Sequence, residues 1–308
     1  MTDFLLFCGP MSKNVVDAVL ATYMNGFSVG FIPSRRQVDF ETGYVNNWRT
    51  DTFSSYVKNI QPEISICRDH GGPGQGQVDD DGVTSFLHDV ERFDIVHIDP
   101  WYKYPNLDQG IAMTIELIIR CASKSDTCLF EVGTEEAIRP FSIDEFEKLV
   151  YQLKSDLPKQ LFDRIVYGVV QSGVGLNLID KINTGTFKPE VLTQMHDICT
   201  KSGLLSKEHN GDYLSHKDVR ARRQLGLNSL NIAPELGQIE TQCYVELFDR
   251  LPESMMDRLF HICNRSKRWE KWVPSGFDPV FNKRKIIGVC GHYIFSDSEF
   301  ISLLNEVL

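Results

Sequence analysis

The chain has 308 residues, enough for one large barrel or two smaller domains. Hydrophobic residues make up 42% and charged residues 24%, ordinary globular proportions that exclude disordered, collagen-like and coiled-coil classes. Lys and Arg total 32 against 42 Asp and Glu, a formal net charge of −10. With no long basic run, this argues against a nucleic-acid or membrane-surface partner, while a small anionic ligand needs only a few local donors.

Leu5–Cys8 predicts a first strand, and Val15, Val16, Val19 and Leu20 then recur at helical spacing. Further strands are predicted at Phe27–Ile32, Ile64–Cys67, Ile95–Ile98, Cys128–Val132, Ile165–Val170, Leu204–Leu205 and Leu230–Ala233. Most are separated by helical patterns. Ser142 with Glu145 forms a capping box, Ser215 with Asp218 opens another helix, and Gly226 suits its C-terminus. Eight alternating units predict an α/β chain with a parallel sheet closed into a (β/α)8 TIM barrel. Polar residues follow nearly every strand instead of gathering at one switch point, which favours the barrel over an open doubly wound sheet. After about Cys263 the pattern changes. Arg265–Trp272 is basic and aromatic, Pro274–Pro279 is turn-rich, Ile286–Cys290 is a short apolar run, and Ser296–Leu308 predicts a final helix. The expected organisation is a barrel over residues 1–264 with a C-terminal helical extension, 265–308, packed on it.

None of the eight cysteines forms a C-x-x-C pair, which excludes a zinc ribbon or thioredoxin motif, and several sit in apolar runs as small hydrophobes. The first residues lack the pattern of a signal peptide, and no apolar stretch reaches the length of a membrane span. A soluble, reduced, cytoplasmic chain is expected.

In a barrel the C-terminal ends of the strands face the active site. Asp69-His70-Gly71-Gly72-Pro73-Gly74 follows a strand, with His70 a candidate ligand and Asp69 a proton acceptor beside it. By alternation His97 and Asp99 point the same way, and a buried His-Asp pair competes evenly with a functional role for them. Glu131 and Glu135 end the fifth strand, and Glu208-His209-Asn210 the seventh. Histidines and carboxylates on several strands suit zinc, manganese or cobalt. Gln171-Ser172-Gly173-Val174-Gly175 could offer backbone N–H groups to an anion. Arg265–Lys271 reads as a charged surface helix ahead of an anion patch, and Arg220, Arg222 and Arg223 as a solvated helix face.

These segments resemble the accessory-subunit family of tagatose-bisphosphate aldolase, itself similar to class II, metal-dependent sugar-bisphosphate aldolases. Gln37-Val38 with Gly43-Tyr44, Asp69-His70 with Gly72-Pro73, His97-Ile98-Asp99, Gly133-Thr134-Glu135, Val169-Val170-Gln171 with Gly173-Val174, and Glu208-His209 with Asp212-Tyr213 occur in the family's order. The resemblance implies retro-aldol chemistry on a sugar or sugar phosphate, with a divalent ion as cofactor: zinc first, then manganese, cobalt or magnesium. It implies Asp69 as acid/base, with Glu135 and Asp99 as further catalytic groups, and His70, His209 and Glu135 as metal ligands. Gln37, Gln171, Gly173, Asn210 and Gly211 are the expected substrate contacts, the glycines and Asn210 receiving an anionic group. Gln171 stands where catalytic relatives carry another histidine, so either Gln171 or a carboxylate completes the metal shell, or metal binding is weak. Two alternatives follow: a sugar-phosphate 4-epimerase using the same cleavage, and a non-catalytic subunit stabilising a partner aldolase. A homo-oligomer is also compatible with the family.

Overall fold

The computed structural model describes residues 4–307. Eight parallel strands run β1 Leu5–Cys8, β2 Val29–Phe31, β3 Cys67–Gly71, β4 Ile95–Ile98, β5 Leu129–Val132, β6 Ile165–Val169, β7 Leu205–Glu208 and β8 Ser229–Ile232. They lie side by side in chain order, and β1 also pairs with β8, Leu5 opposite Ser229. Parallel bridges Phe31–Ile66 and Ser34–Asp69 join β2 to β3, so the sheet returns on itself as the expected (β/α)8 barrel.

Two strands differ from the sequence expectation. β3 starts at Cys67 and carries Asp69 and His70 within it, whereas the apolar run 64–66 leads into the strand. β7 extends through Ser206, Lys207 and Glu208, all fully buried. An apolar-run criterion stops at Leu205 because it cannot anticipate a lysine and a glutamate that find partners inside the fold.

Alternation sorts the side chains. Phe7, Cys67, Ile95 and Tyr167 fill the barrel interior with a small apolar cluster. One pleat further along, His97 stands opposite Glu131, and Lys207 joins them, so the next interior layer is charged. The outward residues, such as Val96, Phe130 and Val132, pack against the surrounding helices in the largest core cluster. Arg222 departs from the solvated face expected of it: it is 1% exposed, donates to Glu208 Oε2 at 2.7 Å and lies over the Phe187 ring.

The chain beyond β8 is helical. Helix Glu253–Ser266 continues across residue 264, and helices Lys283–Ile294 and Ser298–Asn305 complete a separate apolar cluster that draws in Val245 and Phe248. The apolar run 286–290 is the buried face of Lys283–Ile294. The expected charged helix at 265–271 does not form: the backbone turns left-handed at Lys267 and passes into a single 3-10 turn, Glu270–Trp272.

Arg68, pointing outward from β3, fastens the β2–β3 seam. It donates to Pro33 O at 2.9 Å and Val38 O at 2.8 Å, and pairs through Nε and Nη2 with Asp89 at 2.7 and 2.6 Å, all without solvent exposure. A bidentate pair satisfies both buried charges, whereas one alone would be costly. Asp89→Ala should therefore lower the unfolding free energy by about 3–5 kcal/mol, read as a fall in urea midpoint. A loss below about 1 kcal/mol would show that the seam does not depend on this pair.

Candidate metal and active site

Strict alternation would place Asp69 inside the barrel and His70 outside. The structure turns both inward through a local irregularity. β3 and β4 shift register between Arg68 and Gly71, and His70 has φ of +42°, the left-handed region. Such a conformation costs a non-glycine residue about 1–3 kcal/mol and persists only where its surroundings enforce it. Here the His70 N–H reaches His97 Nδ1 at 3.3 Å and the His70 ring is held by Asp99. Gly71 follows because a Cβ there would stand 2.5 Å from the Phe86 ring and 2.8 Å from His97 O.

Each imidazole is oriented by a partner on its far nitrogen. His70 Nδ1 bonds Asp99 Oδ2 at 2.6 Å, and that oxygen also accepts from Thr134 Oγ1 at 2.9 Å. His209 Nε2 bonds Glu131 Oε1 at 2.6 Å. His97 Nε2 bonds Gly133 O at 3.0 Å. In their neutral forms all three rings donate outward; His70 Nε2 and His209 Nδ1 then keep a lone pair for the centre, while His97 Nδ1 accepts the His70 N–H. His70 Nε2 lies 3.3 Å from His209 Nδ1 and 3.3 Å from Glu135 Oε2. Ligands about 2.1 Å from a tetrahedral ion are separated by about 3.4 Å, so both spacings fit one shell. Asp69 Oδ1 is 3.7 Å from His70 Nε2 and from His209 Nδ1. One ligand atom each from Asp69, His70, His97 and His209 falls within 4.8 Å of the others.

The imidazoles and carboxylates also shift one another's titration. Burial opposes charge on His70, yet Asp69, Glu135 and the Asp99 hydrogen bond outweigh it and hold the imidazole well above its ordinary range. Burial likewise opposes charge on Glu135, but His70 and His209 bring its carboxyl down to about 2. Positive charge is thus favoured among these carboxylates. Burial keeps His97 neutral.

Other expected site residues are placed unevenly. Asp69, His70, Glu135, His209, Asn210 and Gln37 line one pocket of about 210 Å³. Asn210, itself left-handed at φ +57°, donates to Glu135 Oε2 at 2.6 Å. Gln37 closes its own loop by accepting from the Ser34 N–H at 2.8 Å. Asp99 is buried behind His70 and does not line the pocket, so it positions the ring and meets no substrate. Gln171 is not available to substrate or ion. Its amide donates to Thr134 O and Arg139 O, both at 2.8 Å, and accepts from the Phe141 N–H at 2.7 Å. Gly173 (φ +87°) is packed against Thr186 O, where a Cβ would come within 1.9 Å, and the Gly211 N–H is donated to Asn231 O at 2.8 Å. The Gln171 amide and the Gly211 N–H are thus spent within the fold's own loops.

Lys207 was invisible to sequence reasoning. It pairs with Glu131 Oε2 at 2.6 Å and lies 3.9 Å from the Phe7 ring centroid. Burial would push the Glu131 carboxyl up, but Lys207 first, then His97 and His209, hold it well below the ordinary range. The usable signal is spacing, since Lys207 in β7 and His209 just past its end are two residues apart and face the same side.

No family model matches the chain, and no curated protein matches it. Solved structures match its fold. A probable tagatose 6 phosphate kinase from Sinorhizobium meliloti 1021 superposes with a TM-score of 0.73 at 15% identity, over 99% of this chain and 88% of the other. The YdjI aldolase of Escherichia coli K12 gives 0.52 at 12% identity, over 99% and 93% of the two chains. A fructose-bisphosphate aldolase from Campylobacter jejuni gives 0.55 at 12%, over 99% and 91%. The architecture is thus the TIM barrel that aldolases share, and any chemistry must be argued from the side chains.

Glu131→Gln tests the support behind His209. It weakens the orientation of that ring and leaves Lys207 without its countercharge. Affinity for Co(II), followed by absorption titration, should fall about 10–100-fold. Unchanged affinity in a folded variant would remove Glu131 from the site's support.

Proposed function

We propose that this chain is a divalent-metal-dependent carbon–carbon lyase of the class II aldolase kind, acting on a sugar or sugar phosphate. The observation that carries the reading is the 3.3 Å convergence of His70 Nε2, His209 Nδ1 and Glu135 Oε2, with Asp69 beside them in an open pocket. Zinc suits a nitrogen-rich set with carboxylates, and manganese or cobalt would also be accepted. The bound ion would supply Lewis-acid polarisation of a substrate carbonyl.

The chain's own residues supply the rest. Asp69 is 19% exposed at its side chain and its Oδ1 faces both imidazoles. It takes the proton from the hydroxyl on the carbon to be released as an aldehyde. The C–C bond then breaks, and its electron pair moves towards the carbonyl of the other fragment. Asp99 and Glu131 keep the rings from turning, and Asn210 keeps Glu135 in place. Glu135 supplies the oxygen donor that a shell without a histidine at Gln171 requires, which leaves Asp69 free to move the proton and favours an enzyme over a non-catalytic subunit. Rebonding on the opposite face would turn the same cleavage into a 4-epimerisation. NMR of products formed from a panel of ketoses and ketose phosphates separates the outcomes: two fragments for a lyase, one isomer for an epimerase.

Asp69→Asn keeps the size of the side chain but cannot accept a proton at neutral pH. Turnover should fall about 10²–10⁴-fold, with Co(II) affinity nearly intact. His70→Ala should lose ion and activity together. Near-wild-type turnover by Asp69→Asn, or full activity after exhaustive chelation, would sink the mechanism.

A further inference from the structure

The pocket that holds Asp69 and His70 is also lined by Arg36, Lys271, Trp272 and Tyr293. Arg36 follows β2, whereas Lys271 and Trp272 belong to the 3-10 turn of the C-terminal extension. Arg268 stands just behind, its guanidinium 5.5 Å from the Tyr44 ring and 5.7 Å from that of Tyr293. Lys271 Nζ lies 4.4 Å from the Trp272 ring and 5.7 Å from that of Tyr293. Among the described residues, none of these three cations has a carboxylate within 4.0 Å. The contrast with Arg35 is direct, since that neighbour pairs with both Asp39 and Asp80.

In a chain with ten more acidic than basic side chains, three cations gathered without a countercharge are an unfavourable arrangement unless a ligand supplies one. Burial first, then the nearby Arg36 and Arg268, push the Lys271 ammonium down to about 8. A second observation is independent of charge. Asn231, on β8, is 5% exposed and lines the pocket, and both polar atoms of its amide lack partners. Gln75 Nε2, on the same lining, is also unpartnered. An unsatisfied buried amide is unfavourable, and a polar ligand removes that penalty.

We infer that Arg36, Lys271 and Arg268 form an oxyanion subsite that takes a phosphate or carboxylate group of the substrate, with Asn231 and Gln75 meeting its hydroxyl groups. The anion is therefore held by the C-terminal extension and the β2 loop, not by the glycines after β6 and β7. The inference deepens the proposed function by giving its substrate a charged end, and only the reaction at the other end depends on that reading.

The test is binding of inorganic phosphate and of gluconate, a hydroxylated carboxylate, to the full chain by calorimetry, with and without EDTA. At least one should bind, and the tighter of the two identifies the anion class. Lys271→Gln and Arg36→Gln should each weaken that binding by about tenfold or more. Lys271→Arg, which keeps the charge, should stay within about fivefold, and Lys285→Gln, removing an exposed lysine elsewhere, should change nothing. Far-UV circular dichroism confirms that each variant is folded. If neither anion binds the wild type below about 20 mM, or if both Gln variants bind as wild type does, the subsite is overturned, whatever becomes of Asp69→Asn. If anion binding is lost as expected while Asp69→Asn retains turnover, the lyase reading falls and the subsite stands.

Discussion

Glu131 uses both carboxylate oxygens inside the barrel, one on Lys207 and one on His209, each at 2.6 Å. Neither Glu131 nor Lys207 has any solvent exposure, and either alone would carry a desolvation penalty of several kcal/mol. Together they make a charged layer tolerable directly above the apolar interior, with the Cys67 thiol donating to the same carboxylate at 3.3 Å. The remaining oxygen fixes the far nitrogen of His209, and only then does Nδ1 turn towards His70. The pair is better understood as scaffolding for an imidazole than as a source of stability, since well-packed apolar residues could fill the same space at lower cost.

Asp99 does for His70 what Glu131 does for His209, but here the backbone contributes as well. The irregularity at residues 68–71 lets two consecutive side chains reach the same cavity, which a regular strand forbids. A proton acceptor and an imidazole can therefore sit side by side, 3.7 Å apart, on one strand. The left-handed backbone at His70 and at Asn210 shows the same device at both ends of the cluster: local strain held by dense hydrogen bonding, which brings side chains into convergence.

Much of this was legible in the sequence. The eight strands follow from apolar runs between helical patterns, and Asp69, His70, Glu135 and His209 stood out because polar residues at strand ends have few reasons to be there. What failed shares a physical cause. Lys207 escapes an apolar-run criterion because its burial depends on Glu131, 76 residues away, which no local window contains. Gln171 reads as a ligand contact because a polar turn looks the same whether its groups face a ligand or its own chain. Arg265–Lys271 was read as a surface helix because helical charge spacing does not reveal that Lys267 breaks the helix and Lys271 returns to the barrel mouth. His97 was left undecided. Its backbone partner at Gly133 is what orients its lone pair inward, and that contact spans two strands.

The seam between β1 and β8 has a kinetic consequence. Ser229 Oγ donates to Leu5 O across 224 residues of chain, and the flanking ladder cannot form until nearly the whole barrel has been laid down. Closing so long a loop early is entropically expensive, so barrel closure belongs late in folding. The donor atoms of the site come from β3, β4, the β5 loop and the end of β7, and their convergence depends on the curvature that closure imposes. An open, partly folded sheet would hold these histidines apart and could not concentrate an ion between them. The cluster is in this sense a readout of completed topology: its donors do not converge while the chain is still an unclosed ribbon of strands.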